Sequence, residues 1–163
     1  MRRKSRFLGA VALAVSMSVA LPLHAETFKF AFQGDVATMD PYGLAENFSS
    51  SFHHNIHEPL VRYDSELQLQ PALAVSWEML DPTTWRFKLR EGVQFHNGND
   101  LTADDVVFSF KRAQKDGSDM GSYVNGIADV KKVDDMTVDI ITTAPNPILL
   151  NTIAPLYIMD KEW

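Results

Sequence analysis

The chain has 163 residues, with 21 acidic against 15 basic side chains and a formal net charge of −6 at pH 7. That balance argues against nucleic acid and anionic membrane as partners, because both reward clustered Lys and Arg. Cysteine is absent, which excludes a disulfide framework, a thiolate metal site and a lipid-modified cysteine.

Residues 1–25 read as a targeting segment. Arg2, Arg3, Lys4 and Arg6 form a basic start, Phe7 to Leu23 is apolar and uncharged, and Leu23-His24-Ala25 ends in the small residue that signal peptidase needs. The expectation is export by the general secretory route with cleavage after Ala25. An uncleaved anchor helix is the alternative, but an apolar run of about 17 residues sits at the short limit for a bilayer. Arg2-Arg3 suggests a twin-arginine signal, yet Phe7-Leu8 follows too late. Without those four cations, eleven basic residues face 21 acidic ones, a net charge of −10 for the mature chain. Residues 26–163 are enough for one core-bearing domain.

Thr27 to Phe32 alternates, with Phe28, Phe30 and Phe32 on one face, and predicts a half-buried strand. Met39-Asp40-Pro41-Tyr42-Gly43 predicts an irregular turn. Asn47 is a good helix cap, with Phe48, Phe52 and Ile56 four apart behind it, and Pro59 is the expected stop. Leu60 to Tyr63 reads as a short strand with a turn at Asp64-Ser65-Glu66. Pro71 to Ala74 reads as a turn or single helical turn before a strand from Ser76 to Leu80.

Trp85, Phe87 and Leu89 alternate with Arg86, Lys88 and Arg90, the clearest strand in the chain. Val93-Gln94-Phe95 predicts another strand, and Asn97-Gly98 a tight turn. Thr102 with Asp105 resembles a capping box, opening a helix that turns Val106, Val107, Phe110 and Ala113 to a core. Asp104 and Asp105 at its start, with Lys111, Arg112 and Lys115 near its end, suit the helix dipole. Asp116 to Asp119 reads as a loop. Val130–Val133 and Met136–Thr142 read as strands paired across Asp134-Asp135. Pro147 opens a short helix to about Ile153, and Leu156 to Met159 predicts a last strand. The coarse class is mixed α/β with a largely antiparallel or mixed sheet.

Catalytic signals are weak. His53, His54 and His57 precede Glu58 as H-H-x-x-H-E, which differs from the H-E-x-x-H order in which glutamate activates zinc-bound water. A solvated helix face explains them better than a metal, and His96 reads as a structural hairpin residue. The sequence holds no G-x-S-x-G and no glycine-rich phosphate loop. Asp104-Asp105 is explained by helix-start chemistry and Asp134-Asp135 by a strand-connecting turn. Trp77, Trp85, Phe87 and Phe95 read as core, given their alternation with charge.

Leu73-Ala74, Ser76-Trp77-Glu78, Phe87 to Arg90, Gly92-Val93, Phe95-His96, Gly98 and Leu101 to Ser109 occur in fixed order. So do Asn55-Ile56-x-Glu58-Pro59-Leu60-Val61 and Val133-Asp134-Asp135-x-Thr137-Val138. In these positions the chain resembles the bacterial extracellular solute-binding proteins of family 5, which feed peptide, opine and nickel importers of the ABC type.

The resemblance implies an incomplete class II periplasmic binding protein-like fold, with the chain as an N-terminal fragment that stops before a second lobe. Residues 26–57 would start ligand-binding lobe I, and residues 58–163 would form most of the family's small additional domain. It implies a periplasmic protein, not an enzyme, that needs no cofactor or metal. It would act as a monomer, close around a small peptide-like solute and hand it to an inner-membrane ABC permease. Nickel chelates, opines, glutathione and sugars stay open as cargo, and a secreted hydrolase or a chaperone-like module stays open as a different class. By resemblance, Ala45, Glu46, Asn47 and Phe48 line the cleft, with Met120 and Tyr123 from a second loop. That loop lacks the Arg and Trp of nickel-binding relatives. Asn47 as helix cap and Tyr123 as packing are the competing readings.

Overall fold

The computed structural model describes residue 31, residues 34–43 and residues 46–162. The targeting segment, most of the strand expected over Thr27–Phe32 and Ala45 lie outside the described residues. Among the described residues, no helix is long and apolar enough to cross a membrane.

The architecture is mixed α/β, as the periodicities predict. β1 (Val61–Tyr63) and β2 (Leu69–Pro71) form an antiparallel hairpin. β3 (Ala74–Asp81), β4 (Thr84–Leu89), β5 (Ile127–Asp134) and β6 (Thr137–Thr142) form an antiparallel sheet in the order β3-β4-β6-β5. Alternation sorts its two faces. Phe87, Leu89, Val138 and Ile140 are buried on one of them.

On the other face, the register aligns Glu78, Arg86, Asp139 and Lys131 across all four strands. Charge alternates in sign along that row. Arg86 and Asp139 form a two-pronged pair at 2.7 and 2.8 Å.

α2 (Ala103–Ala113) covers the apolar face, burying Val106, Phe110 and Ala113; Val107 is only half-buried. The capping box is formed, with Asp105 Oδ2 accepting the N–H of Thr102 at 2.8 Å. The Ala103 N–H donates to Asp135 O at 2.8 Å, seating the helix start on the β5–β6 turn. Lys132 reinforces that joint through Asp104 at 2.8 Å and Asp135 at 2.6 Å.

A second stripe on α2 is polar. Asp105, Ser109 and Arg112 share one face at helical spacing and read the chain segment at Met159 to Lys161. Asp105 Oδ1 accepts the Lys161 N–H at 2.9 Å, and Ser109 Oγ accepts the Met159 N–H at 2.8 Å. Segment Leu156–Met159 is buried as expected but is not a strand. Its backbone goes to side chains and to the carbonyls of Ile153 and Glu58, with one bridge, Pro59 with Tyr157. Val93–Phe95 likewise forms only a bridged loop, Gln94 opposite Asp100.

Three local expectations change. Glu46, not Asn47, caps α1 (Asn47–His53), and the helix ends well before Pro59 because His54 Nδ1 and Asn55 Nδ2 each reach a carbonyl of the last turn at 2.8 Å. The segment before Ala72 is the strand β2, with Pro71 at its end where no ladder donor is needed. A short helix, α3 (Gly121–Val124), was not foreseen. α4 (Leu149–Ile153) falls where Pro147 indicated.

Candidate functional site

Asp40 builds the turn that leads toward the expected solute-contact segment. Its Oδ1 accepts the Tyr42 N–H at 2.9 Å, and its carbonyl accepts the Gly43 N–H at 3.1 Å. Arg112 donates to Asp40 Oδ2 at 2.7 Å, with its guanidinium carbon 4.9 Å from the centre of the Tyr42 ring. The Arg112 hydrogen bond holds the Asp40 carboxyl below its usual range. Tyr42 is buried, which pushes its hydroxyl up, and that hydroxyl donates to Tyr157 O at 2.5 Å.

The Asp119 N–H donates to Tyr42 O at 3.0 Å, so this turn and the loop before α3 are joined. Glu46 accepts the N–H of Phe48 at 2.8 Å and of Ser49 at 2.5 Å. The Ser49 hydroxyl and these amides hold Glu46 below the usual carboxylate range. Asn47 is exposed, Phe48 and Tyr123 are half-buried, and Met120 is buried in the core.

The histidines depart from the solvated face read from sequence. His53 is buried, and neither ring nitrogen has a hydrogen-bond partner among the described residues. Its ring centre lies 5.5 Å from that of His57 and 6.2 Å from that of Tyr157. His54 is exposed and meets the Tyr157 hydroxyl through Nδ1. The stripe that faces inward on α1 is thus Ser49 and His53, with Phe48 and Phe52 half-buried. Among the described residues, no group of three or more His, Asp or Glu could hold a metal ion.

Beside this cluster lies a cavity of about 330 Å³ that sequence reasoning missed. Its apolar wall is Ile56, Leu73, Val93, Phe95, Leu101 and Ile158. Glu58 and Asp160 also line it, but both are engaged. Arg90 grips Glu58 at 3.1 and 2.7 Å, and also donates to Ala72 O at 3.0 Å. Asp160 Oδ2 accepts Asn97 at 2.6 Å and Asn99 at 2.8 Å, while its Oδ1 accepts the Glu162 N–H at 2.8 Å. The Glu162 amide, with the two asparagines, holds the Asp160 carboxyl low.

His57 and His96 also line the cavity, with Gln94, Asn97 and Met159. Burial, then the neighbouring His53 and His96, press the His57 ring down to a pKa of about 4. The only advance signal was that His96 sits at a hairpin tip and His57 just before Glu58-Pro59. Periodicity does not bring those two segments together; the Ile158 N–H bond to Glu58 O and the Asn97–Asp160 contact do.

The family described as "Bacterial extracellular solute-binding proteins, family 5 Middle" matches residues 68–162. The probable deoxycholate-binding periplasmic protein YgiS of Escherichia coli is 33% identical over 82% of this chain and 31% of its own length. OppA of Burkholderia pseudomallei superposes with a TM-score of 0.73 at 25% identity, over 78% of this chain and 29% of that one. MoaA of A. tumefaciens, solved with mannopinic acid, gives 0.71 at 32% identity, over 78% of this chain and 28% of that one. The chain spans less than a third of each relative.

Proposed function

The chain belongs to the bacterial extracellular solute-binding proteins of family 5, and we propose that it serves as the periplasmic capture component of an ABC importer for a peptide or peptide-like solute. Proteins of this family are generally binding proteins without enzymatic activity, found in the periplasm or outside the cell. The carrying observation is the continuous match over residues 68–162, which includes the joint between α2 and the segment at Met159. The mannopinic acid bound to the related MoaA favours an amino-acid conjugate or peptide-like solute as cargo.

In this reading, residues 26–57 begin one ligand-binding lobe and residues 58–163 form the small additional domain. Export proceeds by the general secretory route with cleavage after Ala25, and the protein acts as a monomer with an inner-membrane permease. Ala45 to Phe48 offer backbone and side-chain groups to the solute, with Tyr123 from the adjoining helix α3 in place of the expected loop. Met120 supports them from the core, and Asp119 and Tyr42 hold the two segments together. Affinity comes from closing of the lobes, since a ligand stabilises the closed state only as far as it binds that state better.

The test is the melting temperature of the protein expressed from the complete gene, with a panel of di- to pentapeptides. A native-state ligand at about 100 times its Kd adds roughly 2.7 kcal/mol of stability, a shift of several degrees. A flat response across the panel removes the peptide assignment. A response to mannopinic acid instead redirects it to opines.

A further inference from the structure

We infer that the cavity between His57 and His96 is a second ligand site, distinct from the expected solute segment, for a small apolar molecule carrying a carboxylate. It goes beyond solute capture and stands or falls without it. The volume of about 330 Å³ suits a molecule of roughly ten to fifteen heavy atoms with room for water. Its walls would bury an aliphatic or aromatic body.

The head group follows from which polar groups are free. Glu58 has both oxygens on Arg90. Asp160 is held by Asn97, Asn99 and the Glu162 amide. A cationic head would therefore find no open carboxylate. His57 and His96 have no hydrogen bond to either ring among the described residues, and both line the cavity. A neutral imidazole offers one donor and one acceptor, and a carboxylate satisfies the donors.

The groups around His57 shape the response. His53 and Tyr157 face it with their rings, His96 lines the same cavity, and Asp40 contributes weakly from the turn. Glu58 and Asp160 stand in the same wall, with Arg90 neutralising the first. An anion arriving beside His57 opposes the burial that keeps the ring unprotonated. Binding is then coupled to uptake of a proton by His57 and tightens as the pH falls.

The experiment is calorimetry on the full chain with 3-phenylpropionate, 3-phenylpropylamine and 3-phenylpropan-1-ol, which share one apolar body. The carboxylate is expected to bind at least about tenfold tighter than the amine. Its affinity should rise about tenfold between roughly pH 7.5 and 5.5, a range in which it stays ionised, with proton uptake visible as a buffer-dependent heat. His57→Leu should abolish the preference and the proton uptake while the alcohol still binds. His96→Ala, at an exposed position, should weaken the acid about threefold. Equal affinity for all three heads overturns the inference. So does no binding of the acid, or a preference that survives both substitutions.

Discussion

Asp105 accepts the backbone N–H of Lys161 at 2.9 Å, tying the first turn of α2 to a segment 56 residues further along the chain. The same carboxylate closes the capping box on the N–H and the hydroxyl of Thr102, each at 2.8 Å. Its side chain is fully buried. Asp105→Ala leaves these donors without a buried acceptor and is expected to cost about 2–4 kcal/mol. Asp105→Asn keeps one carbonyl oxygen and should cost about half as much. Urea midpoints measure both. Equal midpoints for the two variants would show that the acceptor contributes nothing.

The pH response of stability has a definite sign. His57 is pressed to about 4 in the folded chain, against about 6.5 when unfolded. As pH falls below about 6.5 the unfolded state takes up a proton that the folded state refuses, so stability is present above that pH and is lost down to about pH 4. The ring is only half-buried, so solvent screening reduces the loss to on the order of 1–2 kcal/mol. The check is the difference between wild type and His57→Leu in urea titrations at pH 7 and 4.5. Parallel losses in both proteins would assign the acid sensitivity elsewhere.

Leu67 sits at φ 59°, in the left-handed region, at the tip of the β1–β2 hairpin. It is 77% exposed, so packing gives little in return. Asp64 organises this turn by accepting the N–H groups of Glu66 and Gln68, each at 2.9 Å. Leu67→Gly removes the Cβ clash and should stabilise by about 0.5–1 kcal/mol, with Leu67→Asn slightly behind. Thermal unfolding reads the sign directly, and a drop in melting temperature for both variants would refute it.

Much of this fold is legible because burial and period coincide. Phe87 and Leu89 announce β4, and Thr102 with Asp105 announces α2. The unread parts are those where a buried backbone is satisfied by side chains. Leu156 to Met159 has the apolar content of a strand, yet Ser109 Oγ and the Tyr42 hydroxyl stand where a neighbouring strand would. Periodicity reports that such a segment is inside, not what it bonds to. The same limit hid the inward turn of His53, because a polar side chain at helical spacing reads as solvated. It also hid the cavity, which is assembled from segments far apart in sequence. The expectation that Glu46 to Phe48 meet a solute rests on family resemblance alone, and the cap of α1 is Glu46, one residue before the Asn47 that cap preference favours.

The row Glu78, Arg86, Asp139 and Lys131 makes a separable prediction about the open face of the sheet. Arg86 and Asp139 have side chains 32% and 15% exposed, so their pair is worth about 1 kcal/mol at most. Asp139→Lys places a cation between Arg86 and Lys131 and should cost about 1–2 kcal/mol. Adding Arg86→Asp to that variant should recover most of the loss, since unlike charges again alternate. Urea midpoints at low and high salt decide it. A loss independent of salt and unrepaired by the second change would point to packing.

Tyr42 carries two contacts that substitution can pull apart. Its hydroxyl donates to the carbonyl of Tyr157, and its ring lies under the Arg112 guanidinium that also holds Asp40. Tyr42→Phe keeps the ring and leaves a buried carbonyl without its donor, for an expected loss of about 1–2 kcal/mol. Arg112→Met should release the Asp40 carboxyl upward toward its ordinary range, visible by NMR titration. The two changes break different bonds to a shared ring, so their double variant should show coupling of about 0.5–1 kcal/mol. Strict additivity would mean that the guanidinium and the ring are merely neighbours. The Asp40 titration alone would then report what Arg112 does, and the turn before Glu46 would be held by the Asp119–Tyr42 backbone bond and the Tyr42 hydroxyl.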